Sequence, residues 1–365
     1  MSTKYILPLT FMIICGTVSC SSMISKQPEH IEIDHLTPSG HYLSDTLKEI
    51  LSAAYSKAAN LQGIRSFLIL KSNKIVAEKY FGSYRLDSLD HVRSVTKSVL
   101  SILAGIAYDQ GFIKNLDDPI GDYLTIHGLT KPQRLITIRN LLTMSGGMDW
   151  DGSINEFNDW VMSSNHLKKT LGKDVVETPG TKFNYNPGDP YLVAMLITDA
   201  TGMTIMDFGQ KYLFGPLGID QLRWPVRSGY YDGNAGLELS PRSMIKIGQL
   251  FKDRGVFAGQ RIISEEWINE STDLQFTINV DGPEKIGYGL FWWTAQINGH
   301  KVFMAQGFAG QNIAVFPLLD LVVVTTCEWL NLKGRSTEQS MAVQELITKD
   351  VLRKYYLAKY PEAGH

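Results

Sequence analysis

Between Arg93 and Asp109 the chain runs through Ser94 to Tyr108, a segment in which Lys97 alone carries a charge. Val95, Val99, Ile102 and Ile106 recur at helical spacing, and Leu100, Leu103, Ala104 and Ala107 carry the apolar surface most of the way round. A helix that apolar belongs inside a large core. The polar stripe left on it is Ser94, Lys97, Ser98 and Ser101, at i, i+3, i+4 and i+7. Side chains three and four apart share a face, so Lys97 stands beside the Ser94 hydroxyl. Burial disfavours an ammonium, and an amine that loses its proton near neutrality can activate a hydroxyl. The pattern reads as a base and its nucleophile.

Ser-x-x-Lys is a cheap pattern, and it occurs again as Ser243-Met244-Ile245-Lys246. That copy follows Ser240-Pro241-Arg242, a helix cap with proline in the first turn. With Arg242, Lys246, Lys252 and Arg254 around it, the segment reads as an ordinary amphipathic surface helix, and its serine as structural.

The 365 residues, 44% of them hydrophobic, suffice to bury about three quarters of the unfolded surface. A net charge of −2 without a basic run argues against nucleic acid as a partner. The N-terminus reads separately. Lys4 precedes an apolar run, Tyr5 to Val18, too short to span a bilayer, and small residues lead to Cys20. This resembles a bacterial lipoprotein signal over residues 1–20, lipidated at Cys20, with residues 21–44 as a tether. The expected location is therefore periplasmic or membrane-anchored, at the outer membrane where the host has two. The membrane enters as a partner through that anchor alone. Cys327 lies in a buried-strand pattern, Leu321 to Cys327, and reads as a core residue without a disulfide partner.

Residues 45–60 read as a helix, followed by strands 66–71 and 74–81 joined through Ser72-Asn73. Strands 289–297, 301–307, 311–317 and 321–328 precede a long amphipathic helix over 336–358. The fold expected is α+β: an antiparallel sheet built from both chain ends and flanked by helices, with an inserted, mostly helical lobe. In this reading the domain spans 45–360, with an α/β lobe at 45–90 and 283–360 and a helical lobe at 91–282.

Ser94-Val95-Thr96-Lys97-Ser98, Gly105-Ile106-Ala107 and Leu116-Asp117-Asp118-Pro119 are joined by Leu141-Leu142-Thr143-Met144-Ser145-Gly146-Gly147. Pro179-Gly180-Thr181-Lys182-Phe183-Asn184-Tyr185, Leu239-Ser240-Pro241-Arg242, Tyr288-Gly289-Leu290-Phe291-Trp292-Trp293 and Gln306-Gly307-Phe308-Ala309-Gly310 follow in order. Together they resemble the β-lactamase-related serine hydrolases, which include class C β-lactamases, D-alanyl-D-alanine carboxypeptidases, family VIII esterases and 6-aminohexanoate-dimer hydrolases. The resemblance covers roughly residues 45–350 and implies a β-lactamase/transpeptidase-like fold.

It also implies roles: Ser94 as the acylated nucleophile, Lys97 as its deprotonating partner, and Tyr185 as the proton shuttle to the leaving group. The backbone N–H groups of Ser94 and Phe308 would form the oxyanion hole. Gly307, Gly310, Trp292 and Trp293 are candidates to line the substrate pocket. No cofactor and no metal is implied; the partner is a small ester or amide. Lysine and tyrosine titrate near 10, so bringing either to about 7 takes roughly three units, or about 4 kcal/mol of environmental bias.

Two departures separate the chain from the family pattern. Tyr185-Asn186-Pro187 stands where the family has Tyr-x-Asn, leaving Asn184 or Asn186 as substitutes. Ala305-Gln306-Gly307 stands where β-lactamases carry Lys-Thr-Gly or relatives His-Thr-Gly, so that strand lacks the usual cation or imidazole. An esterase or amidase is therefore the first reading. A β-lactamase, a carboxypeptidase or a silent penicillin-recognising fold that binds envelope peptides are the alternatives. A Ser-His-Asp hydrolase using His91 or His166 fits poorly, because no Gly-x-Ser-x-Gly elbow occurs.

Overall fold

The computed structural model describes residues 43–126, 128–279, 286–332 and 334–364, so the leader, Cys20 and nearly all of the tether lie outside the described residues. Helix α1 (Asp45–Ala59) begins under a Ser44 cap and buries Leu47, Leu51, Ala54, Tyr55 and Ala58. Strands β1 (Ile64–Lys71) and β2 (Lys74–Tyr80) form a hairpin. Its turn residues Ser72 and Asn73 both have positive φ, 50° and 59°, the left-handed pair that a tight hairpin requires.

Six later strands complete the sheet: β3 (Phe276–Asn279), β4 (Ile286–Tyr288), β5 (Trp293–Ile297), β6 (His300–Gly307), β7 (Gln311–Phe316) and β8 (Leu321–Cys327). Their order is β3-β4-β5-β6-β7-β8-β1-β2, antiparallel throughout, so the N-terminal hairpin adds to the C-terminal meander through β1 and β8. The pairing is in register along Phe67 to Lys71, with Ile69 opposite Val323.

Residue parity decides which core each strand residue enters. Leu68, Leu70, Val322, Val324, Ile313 and Ala305 join one cluster. Phe67, Ile69, Val323, Ala314 and Met304 join the other, with α1 and the C-terminal helix. That helix runs through Ser336–Glu345, Leu346–Arg353 and Lys354–Lys359, its middle segment wound as π-helix. Both sheet faces are covered, which is why β8 is buried along its whole length without alternation.

On the other face lie α2 (Val95–Asp109), α3 (Gly188–Thr201) and α4 (Pro241–Lys252). Every residue of α2 from Val95 to Ala107 is buried. Three expectations need correction. The sheet takes β3 from the stretch assigned to the helical lobe. The helix expected to be an ordinary surface helix, α4, packs against the sheet, where a Cβ on Gly248 would meet Val322 at 2.4 Å. The strand expected over 289–297 is broken: Phe291 turns at φ 60°, and Gly289 N–H bonds back to the Trp292 carbonyl.

Candidate active site

A short strand, Asp90–His91, delivers the chain to the start of α2. Arg65 grips Asp90 at 2.6 Å and Glu328 at 2.6 Å, and Val92 N–H bonds to the Leu237 carbonyl, so this approach is fixed on three sides. Arg93 then adopts φ 53°, a left-handed conformation that disfavours any residue with a Cβ, and swings Ser94 onto the first helical turn. The Ser94 side chain caps no backbone N–H, which leaves its hydroxyl for other partners.

Those partners are Lys97 and Tyr185. Lys97 Nζ donates to Ser94 Oγ at 3.1 Å, to the Asn234 carbonyl at 2.7 Å and to Asn234 Oδ1 at 2.5 Å. Lys97 is 1% exposed, and burial lowers its pKa to about 7; Asp232 opposes the shift and Arg93 adds to it. The Tyr185 phenol interacts with the Ser94 side chain, and Lys97 Nζ lies 4.9 Å from its ring centroid. Burial pushes the phenol up to about 12, with the Ser94 side chain opposing. The two groups are thus driven apart, the lysine toward its neutral amine and the tyrosine toward its neutral phenol. Lys97 does not hold this tyrosine as a phenolate.

Asn234 carries no signal in the sequence, because its importance comes from a contact 137 positions away from Lys97. It follows Asp232, whose Oδ1 accepts the N–H groups of Asn234 and Ala235, and its own Nδ2 is buried with no partner among the described residues. Neither asparagine proposed as a substitute takes up such a place. Asn184 donates to the Trp150 carbonyl, and Asn186 Oδ1 accepts the first N–H groups of α3, from Gly188 and Asp189.

The other candidates divide. Gly307, at the end of β6, lies where a Cβ would meet the Val92 carbonyl at 2.4 Å and Arg93 Cβ at 3.1 Å, so only glycine admits this approach of the sheet to the segment before Ser94. Phe308 follows directly, buried beside Ala309 and Leu332. Trp293 faces Tyr185 and Tyr288, with centroids at 6.0 and 5.0 Å, and Phe183 lies 5.2 Å from Tyr288. Phe157 approaches Lys97 from the helical side.

Trp292 does not line this space. The turn at Phe291 reverses its parity and lays it on Phe251 at 4.2 Å, inside the core. Gly310, at φ 102°, faces Cys327 and Val343 and supports the turn after Phe308 from behind. Ala305 is buried on the α2 side, whereas Gln306 points to the opposite face and donates to Gln344 at 2.9 Å.

The second Ser-x-x-Lys is structural. Ser243 pairs with the Ser240 cap at 2.9 Å, and Lys246 donates to the Gly218 carbonyl. His166 packs edge-on against Trp160, and His91 lies tilted against Trp329 with its Nδ1 accepting the Arg93 N–H. Cys327 is a free, buried thiol whose pKa burial raises.

Comparison with known proteins agrees with this architecture. The family model described as Beta-lactamase matches residues 54–346. The 6-aminohexanoate-dimer hydrolase of Paenarthrobacter ureafaciens is 23% identical over 295 residues, 72% of this chain and 72% of that protein. The lovastatin esterase of Penicillium rubens is 28% identical over 165 residues, 39% of this chain and 41% of that protein. The solved penicillin-binding protein homologue from Pyrococcus abyssi superposes with a TM-score of 0.66 at 20% identity, over 86% of this chain and 81% of that one. With the family model matched along most of its length, the chain belongs to the Beta-lactamase family and is a serine hydrolase of the β-lactamase-related superfamily.

Proposed function

We propose that the protein hydrolyses a small ester or amide through an acyl-enzyme on Ser94. The observation that carries this reading is the contact of a buried Lys97, its pKa lowered to about 7, with Ser94 Oγ at 3.1 Å. Lys97 as the neutral amine takes the Ser94 proton while Oγ attacks the carbonyl carbon. The oxyanion that forms is received by the backbone N–H groups of Ser94 and Phe308, each such donor being worth about 10²- to 10³-fold in rate. Tyr185, held as a phenol, donates its proton to the departing alcohol or amine and recovers one from the protonated Lys97, which returns to the neutral amine. Water then repeats the sequence on the acyl-enzyme.

Intact-mass measurement after treatment with a fluorophosphonate tests the assignment: one adduct on Ser94 is expected. An unlabelled protein would support the silent, binding-only alternative.

Esters rather than β-lactams are the expected substrates. Ala305 puts a methyl group where the relatives' strand puts a cation, and Gln306 is turned away to Gln344. Losing one charge-assisted hydrogen bond costs about 1.5–3 kcal/mol, or roughly ten- to a hundredfold in recognition. The aromatic wall of Phe183, Tyr288 and Trp293 suits a short apolar acyl or alkoxy group. Hydrolysis of p-nitrophenyl butyrate should therefore exceed that of nitrocefin with the same preparation; a faster, Ser94-dependent nitrocefin reaction would restore the β-lactamase reading.

The proposed setting is the cell envelope, with lipidated Cys20 as the mature N-terminus and Ser21 next to it. Cys20→Ala should release soluble protein or leave the leader uncleaved. Unchanged membrane association and unchanged mass would refute lipidation.

A further inference from the structure

The Arg93 side chain touches no reacting atom in the mechanism above, its charge only adding to the lowering at Lys97, yet its placement is costly. A residue with a Cβ at φ 53° is strained by about 1–3 kcal/mol, and glycine would relieve that strain. Its guanidinium lies over the face of Trp329 at 4.2 Å and 5.8 Å from the Phe308 ring. Contact with the Trp329 ring engages the face of the guanidinium and leaves its edge, where the N–H donors are, to seek acceptors.

Among the described residues that edge finds none. Arg93 makes no ion pair there, its side chain donates no hydrogen bond, and its buried Nε has no partner. Asp232 acts on it at long range but is engaged by the Asn234 and Ala235 N–H groups and, at 3.6 Å, by Arg227. Burying a donor without an acceptor costs about 1–3 kcal/mol, so strain and desolvation together are sustained for one residue adjacent to the nucleophile. A planar anion with two oxygens fits such an edge, which is the geometry of a bidentate arginine–carboxylate pair.

We propose that Arg93 is a specificity residue that receives a carboxylate on the substrate, so that the preferred substrates are anionic esters or amides. The inference rests on Ser94 being the acylated residue. Its cation stands on the Phe308–Trp329 side of Ser94, beyond the end of β6, and so does not replace the one missing at Ala305. Substrates with a flexible chain between carbonyl and carboxylate are the ones it would select.

The test compares three probes on the wild-type protein and on Arg93→Gln and Arg93→Lys: p-nitrophenyl butyrate, p-nitrophenyl hemisuccinate and 4-(butyryloxy)benzoate. The second carries its carboxylate on the acyl side and the third on the leaving group. For the wild type, kcat/KM for one of the two anionic esters should exceed that for the neutral ester by tenfold or more. Arg93→Gln should erase that preference, mainly through KM, and Arg93→Lys should restore part of it. No anionic preference in the wild type overturns the proposal even if the variants fail to fold, as does a preference that Arg93→Gln leaves intact. Loss of fluorophosphonate labelling at Ser94 would instead strike the underlying mechanism, so the two failures are distinguishable.

Discussion

Ser94→Ala should lower turnover of p-nitrophenyl butyrate by about 10⁴-fold or more while leaving the fold intact, because it removes the atom proposed to form the acyl-enzyme. The Ser94 side chain caps no helix, and Lys97 keeps both acceptors on Asn234 when the hydroxyl is gone, so no buried ammonium is stranded. Ser243→Ala is the matched control. It carries the same Ser-x-x-Lys pattern, but its hydroxyl bonds to Ser240 and its lysine reaches a carbonyl on another loop. The Ser240 cap still accepts the residue-243 N–H in that variant, so the change should cost under about 1 kcal/mol and leave activity within roughly threefold. The measurements are steady-state kinetics together with thermal unfolding of each variant. Full activity in Ser94→Ala, or equal loss in both, would sink the assignment.

The sequence could distinguish these two serines because the difference is written locally. One lysine carries the only charge between Ser94 and Tyr108; the other belongs to a helix with several. The sheet was legible for a similar reason: β1, β2 and β6 to β8 carry apolar runs bounded by turn residues. What could not be read depends on backbone conformation or on distant contacts. The positive φ at Phe291 breaks a run that looks like one strand, and with it goes the expectation that Trp292 faces the cleft. β3 is a short edge strand whose pattern does not rise above that of a loop. Asn234 becomes the anchor of Lys97 through chain closure over 137 positions, for which no spacing rule exists. Arg93 looks like an ordinary charged residue before a helix until its φ and its missing acceptors are seen. The sign of the Tyr185 shift was also hidden, because it depends on how completely the phenol is buried.

That shift shapes the second large effect. With Lys97 near 7 and Tyr185 near 12, the reactive combination is neutral amine and neutral phenol, which coexist between those values. For a neutral ester, kcat/KM should therefore rise as pH passes through about 7, where Lys97 loses its proton, and then hold level through pH 10. Lys97→Arg should lower activity by about 10²- to 10⁴-fold and abolish the rise, since a guanidinium stays protonated throughout that range. Position alone does not assign the limb, because Asp189 is also buried and its carboxyl is raised to about 7. Asp189 lies four residues beyond Tyr185, accepts the Gly146 N–H at 3.3 Å, and has a second oxygen with no partner among the described residues. An Asp189 limb would survive Lys97→Arg and vanish in Asp189→Asn; a Lys97 limb does the reverse. His91 is no competitor, because burial lowers it to about 4. Measuring kcat/KM from pH 5 to 10 for the wild type and both variants separates these outcomes. A limb near 7 that persists in Lys97→Arg with substantial activity would remove lysine as the base.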